Sequence, residues 1–179
     1  MDDNQKEIKK NDASLESEED EIWKILETVV DPEIPVLSVV DLGIIREVRT
    51  SSTKLETARI EIMVTPTYSG CPAIDMINMN IRIALAQHGF SNIKITPVLS
   101  PAWTTDWMSE TGKTKLKEYG IAPPVGKSID QKLLEHTPVQ CPQCNNSNTK
   151  LVSEFSSTSC KSFYICNNCK EPFEHFKCH

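Results

Sequence analysis

The sequence predicts an α+β fold, a small sheet of about three strands with helices on one face, followed by a second and much smaller domain. Residues 58–64 alternate apolar and polar side chains, as a half-buried strand does. Residues 74–88 then place apolar side chains at spacings of three and four, which is typical of one helix face. The third observation is a pair of Cys-x-x-Cys sequences near the C-terminus, which indicates a unit held together by a metal.

A helix followed by a hairpin is predicted before residue 65. The apolar face of this helix consists of Ile22, Ile25, Leu26, Val29 and Val30. We expect Asp31-Pro32 to end it, because the residue before a proline disfavours the helical conformation. Residues 44–49 and 55–64 predict the two strands of the hairpin, joined across residues 50–53.

After the helix over residues 74–88, which Gly89 can close, residues 91–99 predict a third strand. Pro97 indicates that this strand lies at an edge or ends there, since proline cannot donate a ladder hydrogen bond. A further helical stretch begins near residue 100, is weakened at Gly112 and ends at Gly120. Trp103 and Trp107 share one face of it, and they either pack against the sheet or form an exposed anchor for a partner.

The charge of the chain is unevenly distributed. The formal net charge is -6, and residues 1–21 alone carry nine acidic side chains against three lysines. The remainder is therefore balanced, which gives no reason to expect nucleic-acid binding. No apolar run reaches membrane-spanning length and no signal peptide is recognisable, so we expect a cytoplasmic protein without a membrane contact. The predicted organisation is a disordered acidic tail (1–18), the α+β domain (19–125), a linker (126–138) and the small domain (139–179).

Cys71 is the first candidate functional residue. It lies in the turn between the strand ending near residue 64 and the next helix, for which Pro72 suits the first helical position. A thiol among the unpaired N–H groups of a helix start has a lowered pKa and favours the thiolate, which binds metals. We therefore expect an exposed sulfur that takes part in a functional site, while a buried structural cysteine stays open as the alternative.

The two Cys-x-x-Cys sequences predict a zinc ribbon. Each is a tight turn that aims two thiolates at one point, although the 21 residues between them lie just beyond the usual spacing for zinc sites. The strand-rich character of residues 150–155 and 161–165 predicts an intervening hairpin. A segment of about forty residues is too small to fold without a bound metal or a cross-link. Structural zinc is the preferred ion, with an iron centre as the alternative. The predicted ligands are Cys141, Cys144, Cys166 and Cys169.

Two cysteines remain. Cys160 and Cys178 either pack as small residues against Phe163, Phe173 and Phe176, or form a pair of thiols that holds a metal or cluster in transit. In the second case His175 and His179 would be spare ligands. Asp31 and Glu33 are two carboxylates in a proline-stiffened turn. Taken alone, they are most simply interpreted as a helix stop and a surface charge, and Asp41 is most simply interpreted as a turn residue.

The motifs together resemble a known family. The stretches DPEIP (31–35), VVDLGI (39–44) and TPTYSGCP (65–72) are similar to the two signatures of the SufT/PaaD-type metal–sulfur cluster assembly domain. The later stretches narrow the resemblance to PaaD/PaaJ-type subunits associated with phenylacetyl-CoA epoxidase, a bacterial di-iron oxygenase of aerobic phenylacetate degradation. They are SPAWTTDWM (100–108), YGIAPP (119–124), STSCK (157–161) and EPFEHFKC (171–178).

The resemblance implies an accessory, non-enzymatic factor that helps to deliver iron or iron–sulfur clusters to the epoxidase system. The implied client is the reductase component, which carries an iron–sulfur cluster. By position, Cys71 is the transfer thiolate, and Asp31 and Glu33 form an acidic loop beside it. The alternative is a structural subunit that holds the oxygenase complex together through its ribbon and its Trp103/Trp107 surface. A homodimer is left open.

Overall fold

The computed structural model describes residues 18–51, 59–68, 70–125 and 138–177. The predicted acidic tail, apart from its last residue, lies outside these ranges, as do Cys178 and His179. The same holds for almost all of the predicted linker, including the short helical segment expected near residues 129–135.

The first sheet has three strands in the order β1-β2-β3. They are β1 (Ile45–Thr50), β2 (Arg59–Val64) and β3 (Asn92–Pro97). β1 pairs with β2 in antiparallel fashion and β3 pairs with β2 in parallel fashion, as a helical crossover between β2 and β3 requires. The predicted hairpin strands and the edge position of β3 are confirmed, and Pro97 is the last residue of its strand.

Two helices cover one face of this sheet. Helix α1 occupies residues 18–27 and α2 occupies Ala73–Gln87. Ile60 and Ile62 of β2 are fully buried in one cluster with Ile77 and Ile81 of α2, whereas the intervening β2 side chains are exposed or half-buried. The strand alternation and the helix period therefore place both apolar faces in the same core. Gly89, with φ +91°, follows the end of α2 as predicted.

The end of α1 differs from the prediction. The helix stops at residue 27, and Val30 lies outside the core, with 41% of its surface exposed, in an isolated bridge to Ser38. The Asp31 carboxylate instead organises the following turn by accepting the N–H groups of Glu33 and Ile34, each at 2.7 Å. The residues that were expected to stop the helix thus build the turn after it.

The helical stretch after β3 is interrupted earlier than predicted. A short 3₁₀ helix at Thr105–Trp107 is followed by α3 (Glu110–Tyr119), and the break lies at Met108 and Ser109, which have extended backbones. Ser109 caps α3, because its Oγ accepts the N–H of Gly112 at 2.8 Å. Gly112 lies inside α3, where a Cβ would stand 3.0 Å from the Asp41 Cβ, so this glycine permits close packing and does not break the helix.

The second sheet has four strands, in the order β4-β7-β6-β5. The strands are β4 (Ile121–Ala122), β5 (Thr149–Ser153), β6 (Lys161–Cys166) and β7 (Pro172–Phe176). The sequence predicted the β5–β6 hairpin but not β7 or β4. β4 follows α3 directly and pairs with β7 in parallel fashion, so the segment that was expected to end the first domain is part of the second sheet.

The two sheets are packed against each other. We call residues 138–177 the ribbon and the described residues before β4 the α+β part. Cys160 and Phe176 of the ribbon belong to the main buried cluster of the α+β part, and the Phe176 ring meets Trp103 edge to face with centroids 6.2 Å apart. Trp103 is 4% exposed and donates its Nε1–H to the Leu42 carbonyl at 2.9 Å. It is therefore a core residue and not an exposed anchor.

Candidate functional site

Cys71 lies at the start of α2, where the sequence placed it, but its side chain is buried. It is 9% exposed, so the expectation of an exposed sulfur is wrong. Pro72 precedes α2 as its N-cap residue and makes no side-chain cap bond, one position before the predicted place. The turn is closed by backbone bonds of 3.3 Å from Cys71 N–H to the Tyr68 carbonyl and from Ile74 N–H to the Cys71 carbonyl.

Tyr68 interacts with the buried thiol of Cys71. Its phenol also interacts with Ser159, a residue of the ribbon. Burial raises the pKa of Tyr68, and the neighbouring Cys71 adds to the rise, while the Ser159 contact opposes it. Cys71 is buried, Tyr68 half-buried and Ser159 exposed, so this series of contacts leads from the thiol to the surface.

Asp31 and Glu33 lie beside this series of contacts. Asp31 is only 8% exposed, and Glu33 is half-buried. Burial raises the pKa of the Asp31 carboxyl, against the effect of its two backbone hydrogen bonds and of Lys161. Burial, then Asp31, raises the pKa of Glu33, whose charge also acts on Tyr68. The loop therefore holds two carboxyl groups with raised pKa values, one of which, Glu33, is close enough to Tyr68 to affect its pKa.

The ribbon contributes Cys160 to the same place. Its sulfur is 4.0 Å from Glu33 Oε2 and 3.0 Å from Thr158 Oγ1, and the side chain is 5% exposed. Burial raises the pKa of the Cys160 thiol, and the Glu33 charge adds to the rise. Cys160 shares its buried cluster with Phe176, as one of the two interpretations expected, but it also faces the acidic loop of the α+β part.

His175 was considered a spare ligand for a metal bound by Cys160 and Cys178, but it does not lie on the Phe176 face of its strand. Side chains alternate along a strand, so His175 lies on the opposite face of β7 from Phe176. Its ring packs edge to face on Tyr164, and its Nδ1 is 3.3 Å from Ser162 Oγ. Burial lowers the pKa of His175 to about 4, with Lys177 acting in the same direction, so the imidazole is neutral at pH 7.

A buried ion pair fixes the loop that carries Ser159 and Cys160. Lys161 is 4% exposed, and its Nζ lies 2.7 Å from Glu174 Oε2. Burial acts to raise the pKa of Glu174, but hydrogen bonds from Lys161, Ser156 and Ser157 outweigh it and lower the pKa to about 2. The ionised carboxylate therefore holds residues 156–161 in place.

A second tether is found at Asp41, which the sequence suggested was only a turn residue. Its carboxylate accepts hydrogen bonds from Ser109 Oγ at 2.7 Å and from Lys115 Nζ at 2.6 Å. Burial acts to raise the pKa of Asp41, but these bonds, together with those from Ser38, lower it. Asp41 thus ties α3 to the turn before β1. Nothing in the sequence spacing indicated this contact.

The four predicted ribbon ligands come together. Their sulfurs all lie within 4.8 Å of one another, with Cys141 3.7 Å from Cys169 and Cys144 3.6 Å from Cys166. A tetrahedral ion with metal–sulfur bonds of about 2.3 Å separates its ligands by about 3.8 Å, so the set fits zinc. Each Cys-x-x-Cys turn is closed by a backbone hydrogen bond to the carbonyl of its first cysteine. The donors are the N–H groups of Asn145 and Lys170, each four residues after that cysteine. Within the described ranges no other His, Cys, Asp or Glu group has three ligand atoms this close.

Comparison with known proteins identifies families that match the two parts of this chain. Residues 126–177 match the family described as PaaD zinc beta ribbon domain, and residues 19–89 match the family described as iron-sulfur cluster assembly protein. The chain is 46% identical over 158 residues to an Escherichia coli protein named as a putative subunit of 1,2-phenylacetyl-CoA epoxidase, covering 88% of this chain and 92% of that protein. The chain belongs to the PaaD family.

Two further relatives match about three fifths of this PaaD-family chain. A protein of Porphyromonas gingivalis named Fe-S protein maturation auxiliary factor is 37% identical, covering 59% of the chain and 96% of that protein. The crystal structure of a domain of unknown function, DUF59, from Bacillus anthracis superimposes with a TM-score of 0.53 at 28% identity, covering 59% of this chain and 97% of that one. The predicted family and fold class are therefore confirmed. None of the helices described here is long and apolar enough to span a membrane.

The residues that the sequence missed are those around Tyr68. Tyr68 was visible only as part of the turn motif, and Ser159 and Lys161 only as part of a ribbon motif. No local signal pairs residues 68 and 159, because their contact depends on how the ribbon packs on the α+β part. The one signal for this region was the resemblance, which implied that Asp31 and Glu33 lie near Cys71.

Proposed function

We propose that this chain is an accessory protein of the phenylacetyl-CoA epoxidase system that delivers iron or an iron–sulfur cluster through Cys71. The observation that carries the proposal is the position of Cys71 at the start of α2, in contact with Tyr68, whose pKa the charge of Glu33 also raises. Family membership and the names of the relatives support an accessory role linked to iron–sulfur cluster assembly.

The chemistry of the site suits a transient cargo. Thiolate is the protein ligand that iron–sulfur clusters prefer, and a single protein thiolate leaves the other coordination positions open to exchange. The burial of Cys71 keeps solvent oxidants away from a thiol that would otherwise be open to oxidation.

The ribbon has a different part in this proposal. Its four cysteines fill all four positions of a tetrahedral ion, so no position remains for cargo, and we assign it a structural zinc. The metal would hold the ribbon folded, and the folded ribbon positions Ser159 over Tyr68.

The proposed client is the reductase component of the epoxidase, because it is the component for which the resemblance implies an iron–sulfur cluster. The second candidate function is a structural subunit of the same complex. The burial of Cys71 favours this candidate, because a purely structural cysteine would be buried in the same way. The two candidates differ in whether the thiol itself is needed.

The test is the iron and acid-labile sulfide content of the reductase purified from cells that produce wild-type chain or Cys71→Ser. Ala73→Ser is the matched control, since it alters the neighbouring buried position of the same helix start but keeps the thiol. We expect under-loaded reductase only with Cys71→Ser. Equal loading with all three proteins, in a complex that still assembles, would discard the transfer role and favour the structural subunit.

A further inference from the structure

We infer that the outer face of α2 is the contact surface of an antiparallel homodimer, in which α2 of one copy packs against α2 of a second copy. The inference goes beyond the proposed function, because it concerns a face of the helix that the delivery of iron or clusters through Cys71 does not use. It rests on a row of exposed apolar side chains and on the two opposite charges beside that row.

α2 is apolar on the face that points away from the sheet as well as on the face that packs on it. The side chains of Met76, Met79 and Ile83 are 51%, 57% and 49% exposed. A surface helix normally carries polar side chains on this face, and a helix that is apolar on both faces is normally buried on both. With the exposed Ala86 these side chains form a row, which we call the α2 seam: Met76, Met79, Ile83 and Ala86.

The spacing of the α2 seam suits a second helix. Its members follow one another at intervals of three, four and three residues, which are the intervals of the two core positions of a heptad. In an antiparallel pair related by a two-fold axis level with residue 81, Met79 meets Ile83 of the second copy. The large Met76 side chain then meets the small Ala86 of the second copy. The seam is therefore complementary to itself.

A surface pocket continues the seam at its C-terminal end. The pocket has a volume of about 400 Å³, and its lining residues are Arg82, Ala86, Gly89, Phe90, Ser91 and Ile93. Ala86 belongs both to the pocket and to the seam, and it is the residue that Met76 of the second copy meets. Methionine is unbranched and flexible, and it fills irregular gaps well. The pocket therefore gives the Met76 side chain of the second copy a place to pack.

The two charged side chains of α2 favour the antiparallel orientation. Asp75 and Arg82 are both exposed, lie seven residues apart on one flank of the seam, and form no ion pair with another described residue. Nη1 of Arg82 donates to the Ile93 carbonyl at 2.6 Å, which holds the guanidinium on this flank. In the antiparallel pair, Asp75 of each copy faces Arg82 of the other. A parallel pair would place them opposite the uncharged Asn80 and Gln87. Charges that flank the core positions set the orientation of paired helices, so the two opposite-charge pairs select the antiparallel dimer.

The dimer keeps the two copies of Cys71 apart. α2 begins at Ala73, eight residues before the level of the two-fold axis. At 1.5 Å per residue, the two helix starts are separated by about 24 Å along the helix axes. The Cys71 thiols of the two copies therefore lie at opposite ends of the helix pair, and one cluster cannot bridge them.

The experiment measures the molar mass of the full, metal-loaded chain by analytical ultracentrifugation over a series of concentrations. We expect the wild-type chain to dimerise. Met79→Glu should raise the Kd of the dimer by at least about a hundredfold, because it buries two unpaired carboxylates in the seam. Val152→Glu is the matched control, since it adds the same charge at a ribbon position that is 55% exposed, and it should dimerise like the wild type. Circular dichroism checks that each variant is folded.

An exchange of charges tests the orientation. Asp75→Arg and Arg82→Asp should each raise the Kd of the dimer by about tenfold, because each creates two like-charge pairs across the axis. The double variant that carries both substitutions should regain the Kd of the wild type, because opposite charges again face each other. The parallel arrangement predicts no such recovery.

Each contrary result overturns the inference in a different way. A wild-type chain that stays monomeric at every concentration would exclude the second copy. If that monomer bound the reductase component more tightly than Met79→Glu does, the seam would be a docking surface for the client instead. A dimer that Met79→Glu leaves intact would place the contact elsewhere. A double charge variant that dimerises no better than the single variants would exclude the antiparallel arrangement.

Discussion

The Trp103 indole meets the Phe176 ring edge to face, with ring centroids 6.2 Å apart, and both side chains are buried. This contact joins the segment after the first sheet to the last strand of the second sheet. Trp103 is itself fixed to the turn before β1 through its bond to Leu42, so the ribbon is docked on the loop region that also contains Asp31 and Glu33. Cys160 and Phe176 of the ribbon share one buried cluster with Cys71, so the ribbon is docked on the part of the molecule that contains this thiol.

Removal of the Phe176 ring should undock the ribbon. We expect Phe176→Ala to lower the free energy of unfolding by about 3–5 kcal/mol, as deletion of a buried aromatic side chain does, and to speed the alkylation of Cys71 under native conditions. Phe155→Ala is the control, since that ring in the same ribbon is 61% exposed. Unchanged alkylation kinetics in folded Phe176→Ala would show that the ribbon does not cover the thiol.

Loss of the ribbon ion should unfold the ribbon and leave the first sheet intact. We expect Cys144→Ser, or treatment of the wild-type chain with a chelator, to release one metal ion and to expose the chain after about residue 138 to proteases. The emission of Trp103 should shift to the red, because Phe176 no longer covers it. A metal-free chain with a fully protected ribbon would contradict a structural role for the ion.

The Lys161–Glu174 pair predicts a specific pH dependence. The pKa of Glu174 in the folded chain, about 2, lies below its ordinary value of 4.5, so the unfolded chain takes up the proton first as the pH falls. The stabilisation is complete above about pH 4.5 and is lost as the pH falls towards 2. In Glu174→Gln this part of the acid dependence of the unfolding free energy should be missing.

The same substitution should be costly at neutral pH. Glu174→Gln leaves Lys161 buried without its counter-charge, and we expect a loss of about 2–3 kcal/mol in the free energy of unfolding. This is less than for a fully enclosed pair, because the Glu174 side chain is 24% exposed. Chemical denaturation of Glu61→Gln, which removes an exposed pair with Lys94, provides the comparison and should change little. Equal losses in the two variants would argue against a role for the Lys161 pair in holding residues 156–161.

Gly112 should not tolerate replacement by alanine, although this change usually stabilises a helix. Gly→Ala in a helix interior normally stabilises by about 1 kcal/mol. Here the new Cβ would lie 3.0 Å from the Asp41 Cβ and 3.1 Å from its carbonyl oxygen, on a residue that Ser109 and Lys115 hold in place. We expect Gly112→Ala to destabilise the chain by about 1 kcal/mol instead. Thr114→Ala, at an exposed position of the same helix, is the control, and a stabilised Gly112→Ala would show that Asp41 can retreat.

The sequence predicted what depends on local periodicity and spacing. The alternation around Ile60 and Ile62 identified a strand, Gly89 marked the end of α2, and the Cys-x-x-Cys spacing identified the four ribbon ligands. β4 was missed because a two-residue strand has no period, and its partner β7 lies some fifty residues further along the chain. The exposure of Cys71 was mispredicted because its side chain belongs to the main buried cluster, which brings together residues far apart in the sequence. Helix-start chemistry describes only the local environment of a thiol and not what packs over it.

The most direct test of the account is transfer in vitro. The full chain is charged anaerobically with iron and sulfide, mixed with apo-reductase of the epoxidase system, and the recovery of the cluster absorption of the reductase is followed with time. The account predicts recovery with the wild-type chain and with Ala73→Ser, and recovery no faster than from free iron and sulfide with Cys71→Ser. Recovery at the wild-type rate with Cys71→Ser would contradict the claim that this thiol carries the cargo.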